Sequence, residues 1–148
     1  MKPKKSTLEQ AELILHLYEL RRETVMREAR SFVGGSFHPQ SAEELVSIVM
    51  RGNKESGFVL QVYGYWDMVC AFVLHGALSE ALVYDTCQEM YFQFAKIYPY
   101  LKDFRLQMNL PEWTQSLEKV ATGSSRGKKR IAIMRANLNQ PPRPKSKD

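Results

Sequence analysis

Residues 63–76 read YGYWDMVCAFVLHG and contain one formal charge, Asp67. Nearly all the other residues are apolar, aromatic or small, so a helix built from this stretch is apolar on every side. Such a helix lies in the middle of a soluble bundle or spans a membrane. The neighbouring segments are amphipathic and need an apolar partner to cover. We therefore predict a central apolar helix from about Phe58 to His75, which Gly76 ends.

A membrane span is the main alternative for this helix, because the apolar segment is long enough to cross a bilayer. Asp67 would then lie near the middle of the membrane, where a charge costs several kcal/mol, and no cluster of Lys or Arg closely flanks the segment. At the N-terminus, glutamates interrupt the apolar run that a signal peptide requires. We predict no membrane span, no signal peptide and a cytoplasmic protein.

Amphipathic helices are predicted on both sides of the central one. Ser6 and Glu9 have the spacing of a capping box, and an apolar face follows at steps of three and four residues. That face consists of Leu8, Ala11, Leu15, Tyr18, Arg22, Val25, Ala29 and Phe32. It predicts one long N-terminal helix of about 25 residues, ended by Gly34 and Gly35.

Further helix signals fill the chain up to Gly123. Ser41 opens a short helix, and Ser79 opens one whose apolar face is Val83, Cys87, Met90, Phe94 and Ile97. A short helix follows near 100–108, and a last one starts at Pro111 with Asn109 as its cap. The sequence therefore predicts an all-α, single-domain helical bundle of five or six helices. Within it, Cys70 and Cys87 are expected to be buried free thiols.

The basic excess of the chain lies at its C-terminus. Residues 1–125 hold 13 Lys and Arg against 15 Asp and Glu, whereas residues 126–148 hold 8 Lys and Arg against Asp148 alone. We divide the chain into a helical bundle domain, 1–123, and a basic, Pro-containing, flexible tail, 124–148, within which a short amphipathic helix can form. The tail is a solvated terminus, a weak nucleic-acid-binding arm, or a segment that binds an anionic membrane surface through its charges and the adjacent short apolar stripe. The candidate phosphate contacts are Arg126, Lys128, Lys129, Arg130 and Arg135.

Asp67 has two interpretations. In the structural one it is buried and faces Arg22 or a tyrosine hydroxyl, because a buried acid without a partner is too costly. In the catalytic one it forms a carboxylate site with Asp85 or His75, although His75 lies about 80° round the same helix. We favour a buried polar centre of Asp67, Arg22 and Asp85, and keep an enzyme with a carboxylate site around Asp67 as the lesser alternative.

No other motif predicts a catalytic residue, a cofactor or a metal. Glu12 and His16 share a helix face, but the second Glu-x-x-His helix of a di-metal bundle is missing from the sequence. The run GSSRGKK at 123–129 lacks the spacing and the Ser/Thr of a phosphate-binding loop. Neither cysteine has a basic neighbour in sequence that would lower its pKa.

The run WDMVCAFVLHGALSEALVY, residues 66–84, resembles a family of small all-helical bacterial proteins known only as a domain of unknown function. In that family an aromatic-rich helix runs into a Gly-Ala/Leu turn, here residues 76–78, followed by an acid and a leucine, here Glu80 and Leu82. The long opening helix and a late tryptophan, here Trp113, are similar, and the resemblance covers about residues 8–122. Members of the family often begin with a membrane anchor; because we predict no anchor in this sequence, we expect a soluble version of the family. It supplies no catalytic residues.

Aromatic residues are concentrated between residues 63 and 104, and many of them are tyrosines, which suit half-buried surfaces. Together with the missing catalytic constellation, this favours a soluble, non-enzymatic module that binds protein and associates with itself as a homo-oligomer. Nucleic-acid binding through the basic tail is the alternative function.

Overall fold

The computed structural model describes residues 5–139, and the all-α prediction is confirmed for that range. The α-helices are α1 (Lys5–Arg22), α2 (Thr24–Gly35), α3 (Ala42–Met50), α4 (Lys54–Leu74), α5 (Glu80–Thr86), α6 (Gln88–Ile97), α7 (Leu101–Met108), α8 (Gln115–Ala121) and α9 (Ser125–Leu138). A turn of 3-10 helix, Tyr98–Tyr100, connects α6 to α7. The helices outnumber the five or six predicted, because two predicted helices are interrupted and α9 lies in the predicted tail.

α4 is the central helix and packs against α2, α3 and α8. Tyr63 and Trp66 lie fully buried on it. The helix begins at Lys54, before the predicted Phe58, because Asn53 Oδ1 accepts the backbone N–H of Ser56 at 2.9 Å and caps the first turn. Gly76 follows the helix with φ +81°, a left-handed conformation that glycine adopts without strain. The central helix predicted from residues 63–76 is therefore present.

By length and composition, α4 is the one helix in the described residues that is apolar enough to cross a membrane. Its tyrosines have partners within the bundle: Tyr63 donates its hydroxyl to Gln93 O at 2.7 Å, and Tyr65 donates to Leu17 O at 2.6 Å. These two bonds join α4 to α6 and to the C-terminal part of α1.

The prediction of one continuous N-terminal helix of about 25 residues is wrong, because the helix is interrupted. Glu23 adopts an extended backbone with ψ 142°, and its carboxylate accepts the backbone N–H of Met26 at 3.1 Å. Glu23 thus ends α1 and caps α2. The interruption takes a single residue, so the apolar pattern runs across it unchanged.

The predicted helix after Ser79 is likewise two helices, because Cys87 leaves the helical conformation at φ −122° and ψ 54°. Its backbone N–H still bonds to Val83 O and ends α5, and α6 starts at the next residue. Both cysteines are buried and free, as the sequence predicts.

The start of α8 differs from the prediction. Asn109, the predicted cap, instead ends α7 in a left-handed conformation with φ 52°. Pro111 lies in the turns that follow, and α8 begins only at Gln115. Thr114 precedes α8 with φ 56° and makes no capping bond through its side chain. The first turn of α8 therefore needs a cap from elsewhere in the fold.

The short amphipathic helix expected within the predicted tail is present as α9, Ser125–Leu138. It packs along α6 and contacts α8, so this part of the predicted tail is packed on the bundle. Ser124 Oγ caps α9 by accepting the backbone N–H of Gly127 at 3.0 Å. A Cβ at Gly127 would overlap Ala121 O, so the glycine permits the close approach of α9 to α8. Ile131 is buried in the core. The remainder of the predicted tail, residues 140–148, lies outside the described residues.

Candidate functional site

Asp67 caps a helix that is distant in sequence. Its Oδ1 accepts the backbone N–H of Leu117 at 2.9 Å, and Leu117 is the third residue of α8. A side-chain oxygen at this place satisfies one of the free N–H groups of a first turn, and a carboxylate also suits the positive end of the helix dipole. Asp67 therefore supplies the cap that Thr114 does not.

The predicted polar centre of Asp67, Arg22 and Asp85 is wrong. Asp67 is half-buried, and Arg22 and Asp85 are both exposed. In the described residues Asp67 makes no hydrogen bond to Asp85 or to His75, so the structure does not bring the proposed carboxylate pair together. Arg22 points to solvent because the core side of α1 lies one residue earlier, at Arg21.

Glu89 forms a partly buried ion-pair cluster with two arginines, of which only Arg21 is fully buried. Arg21, 4% exposed, donates to Glu89 Oε2 at 3.1 Å, and Arg30 Nη2 lies 3.0 Å from the same oxygen. Arg21 also stacks its guanidinium 3.7 Å from the ring centre of Tyr18 and 5.0 Å from that of Trp66. The cluster joins α1, α2, α4 and α6, and every charge in it has a partner, which is typical of a structural centre.

Lys96 is a second buried charge that the sequence pattern did not reveal. The side chain is 2% exposed, and its Nζ donates to Val33 O and to Gly34 O at 3.2 Å, the last carbonyls of α2. A cation at the C-terminus of a helix complements the helix dipole. Burial lowers the pKa of Lys96 to about 8, while the charge of Glu89 acts in the opposite direction.

Three of the five candidate nucleic-acid contacts are engaged within the molecule. Arg126 forms an ion pair with Glu80, and Arg130 stacks 3.5 Å from the ring centre of Tyr84 and donates to Tyr84 O at 2.6 Å. Arg135 donates to Ala95 O at 3.2 Å and to the hydroxyl of Tyr100 at 2.9 Å. Lys128 and Lys129 are exposed. The arginines thus attach α9 to the bundle, and the two lysines face solvent.

α1 carries apolar side chains on two sides, and only one of them faces the core. The core side holds Ile14 and Leu17, which are 7% and 6% exposed, together with Arg21. The apolar face predicted from Leu8 onwards was expected to cover the central helix, but its residues in α1 are exposed.

The exposed face of α1 consists of five residues at steps of three and four, and we call it the α1 seam: Leu8, Ala11, Leu15, Tyr18 and Arg22. Leu15 is 64% exposed and Tyr18 48% exposed. At regular helical spacing the apolar members of the seam form an exposed stripe, and Arg22 ends it with a charge.

A groove lies on the other flank of α1, because its lining residue Leu20 stands about 160° round the helix from Tyr18. It lies between the end of α1 and α4, has a volume of about 370 Å³, and is lined in part by Leu20, Met26, Tyr65 and Met68. Leu20 is 54% exposed and Met68 37% exposed. Methionine adapts its shape to a partner, so the groove suits an apolar side chain from another helix.

The described residues contain no group of three or more His, Cys, Asp or Glu side chains that could hold a metal ion. Glu12 and His16, the candidate pair from the sequence, are both exposed, and His16 Nδ1 lies 3.7 Å from Glu19. Burial raises the pKa of the Cys70 and Cys87 thiols, which disfavours the nucleophilic thiolate.

Sequence reasoning missed Arg21, Glu89 and Lys96. One signal was present for Arg21, since Ile14, Leu17 and Arg21 also stand at steps of three and four. Lys96 and Glu89 carried no such signal, because charged residues on a short helix are usually solvated.

The chain belongs to the family described as Domain of unknown function (DUF4760), whose model matches residues 6–124. The match ends at Ser124, the residue that caps α9. No curated protein and no solved structure is a match for the chain. The family resemblance inferred from residues 66–84 is confirmed.

Proposed function

We propose that the protein is a non-enzymatic interaction module that works by binding protein, including a second copy of itself. The observation that carries this proposal is the exposed apolar surface of the α1 seam. Monomeric soluble proteins rarely expose large continuous apolar patches, because such patches favour association.

Several features support a binding surface in this place. α1 is anchored to the bundle by Ile14, Leu17 and the Arg21–Glu89 ion pair, so the exposed face is held on a fixed support. Tyr18 is oriented by the guanidinium of Arg21 against its ring. Rigid aromatic side chains contribute strongly to protein interfaces, since little conformational entropy is lost when they bind.

The test is the mass of the full chain as a function of concentration, measured by sedimentation velocity from about 1 to about 100 µM, the range of weak to moderate dissociation constants. We expect the average mass to rise with concentration. A strict monomer over the whole range would contradict self-association.

Nucleic-acid binding through α9 is the second proposal, and its support is the exposed pair Lys128 and Lys129. Fluorescence anisotropy of labelled single- and double-stranded oligonucleotides tests it, with K128E/K129E as the variant. Binding to phosphates weakens as salt rises. Binding that the variant and the salt leave unchanged would refute a role for this helix.

A further inference from the structure

The α1 seam has the spacing of a coiled-coil interface. Leu8, Ala11, Leu15, Tyr18 and Arg22 follow one another at steps of three, four, three and four residues, the a and d positions of a heptad repeat. A stripe limited to these two positions is narrower than the face with which a helix covers a globular core. The spacing therefore fits a single partner helix lying along α1.

We propose that the partner is α1 of a second copy, packed antiparallel about a twofold axis that passes between Leu15 and Tyr18. This inference rests on the proposed self-association and specifies its surface. In an antiparallel pair an a position faces a d position of the other helix. Leu15 then packs on Tyr18 of the second copy, and Ala11 packs opposite Arg22 of the second copy.

The charge at Arg22 distinguishes this arrangement from a parallel one. Parallel helices would bring Arg22 against Arg22 of the second copy, which is a repulsive contact of two like charges. In the antiparallel arrangement the long Arg22 side chain lies over the small Ala11, within reach of the neighbouring Glu12. The seam is thus complementary to itself in size and in charge only when the helices are antiparallel.

An interface of one helix from each copy is smaller than that of an obligate dimer, so we expect a dissociation constant of roughly 10 µM or weaker.

The first experiment compares the full chain with Leu15→Glu and with Leu106→Glu in sedimentation velocity. Leu106, 73% exposed on α7, is the matched control for a new acid on an exposed leucine. We expect Leu15→Glu to weaken dimerisation by at least tenfold and Leu106→Glu to leave it unchanged. Both positions are exposed, so circular dichroism should show an intact fold. If both variants self-associate like the original chain, the seam is not the interface. That result would overturn the α1 dimer but not the proposed self-association, which would then use another surface.

A charge exchange then tests the orientation. Arg22→Glu and Glu12→Arg should each weaken the dimer, and the double variant should recover it, because the exchanged pair meets across the antiparallel interface. Ala11→Cys provides an independent measurement, since α1 rises about 1.5 Å per residue. Oxidation should leave antiparallel Ala11→Cys uncrosslinked and would join two parallel copies. Efficient cross-linking, or a double variant weaker than both single ones, would overturn the antiparallel arrangement.

Discussion

Replacing Asp67 by alanine tests the role that the structure assigns to the charge in the central helix. The change removes the oxygen that accepts the Leu117 N–H at 2.9 Å. Loss of an N-cap costs about 0.5–2 kcal/mol, and a buried N–H left without an acceptor costs about 1–3 kcal/mol. These two ranges describe the same lost bond, so we expect the free energy of unfolding to fall by about 2 kcal/mol. For a chain of this length that corresponds to a melting temperature about 4–8 °C lower.

The assay is urea unfolding followed by circular dichroism, with Asp67→Asn and Arg22→Ala as controls. Asparagine keeps an oxygen acceptor and loses only the attraction of the charge to the helix dipole, so Asp67→Asn should cost about 0.3–1 kcal/mol. Arg22 is exposed, and Arg22→Ala should change stability by less than about 0.5 kcal/mol. An Asp67→Ala variant as stable as the original chain would refute the capping role. A large loss of stability in Arg22→Ala would instead support the ion pair between Asp67 and Arg22 that the sequence suggested.

Three further predictions concern charges that the bundle holds internally. Glu89→Ala leaves the buried Arg21 without a carboxylate and should lower the free energy of unfolding by about 3 kcal/mol, with little change for the exposed Glu9→Ala, both measured by urea unfolding. The pKa of Lys96 is lowered from 10.5 to about 8, so the unfolded chain binds more protons at this residue between those pH values. The free energy of unfolding of the original chain, measured relative to that of Lys96→Met, should therefore rise between about pH 8 and pH 10.5, because the variant shares the opposing contribution of the buried thiols. Arg130→Ala should accelerate amide hydrogen exchange in α9, because the contact with Tyr84 is lost, whereas exchange in Lys129→Ala should match the original chain.

The fold class follows from the sequence because helical spacing and caps are local signals. Ser41 and Ser79 cap α3 and α5 as their positions predict. The interruptions at Glu23 and Cys87 could not be predicted in the same way. Each takes one residue and leaves the apolar spacing intact, and neither residue is a glycine or a proline. Boundaries of this kind depend on tertiary packing, which local spacing does not encode.

The hydrogen-bond partner of Asp67 could not be predicted from the sequence, for a different reason. The sequence shows that a charge in an apolar helix needs a partner, but side-chain patterns point only to other side chains. The observed partner is a backbone N–H 50 residues away in sequence. Any residue except proline offers the same N–H at position 117, so the identity of the residue there could not indicate it.

The two faces of α1 show that helical periodicity alone does not determine which face of a helix is buried. The apolar stripe from Leu8 to Arg22 and the stripe of Ile14, Leu17 and Arg21 are both at helical spacing. The prediction took the longer stripe as the apolar face of the helix, but the shorter stripe is the buried one. The bundle buries Ile14, Leu17 and Arg21 of α1 and leaves the longer stripe exposed to solvent. This exposure is the physical reason to assign the longer stripe to a binding partner.

α9 shows why net charge alone overstates the cationic surface offered to a ligand. The excess of basic residues after position 125 suggested an arm for nucleic acid. In the structure Arg126 and Arg130 stack on Tyr84, and Arg135 binds the C-terminal part of α6 through Ala95 O. An arginine held against an aromatic ring keeps its charge but has fewer N–H groups free for phosphate. A phosphate contact by these arginines would compete with the contacts that attach α9, so the cationic surface of α9 that is available at no cost to the fold is that of Lys128 and Lys129.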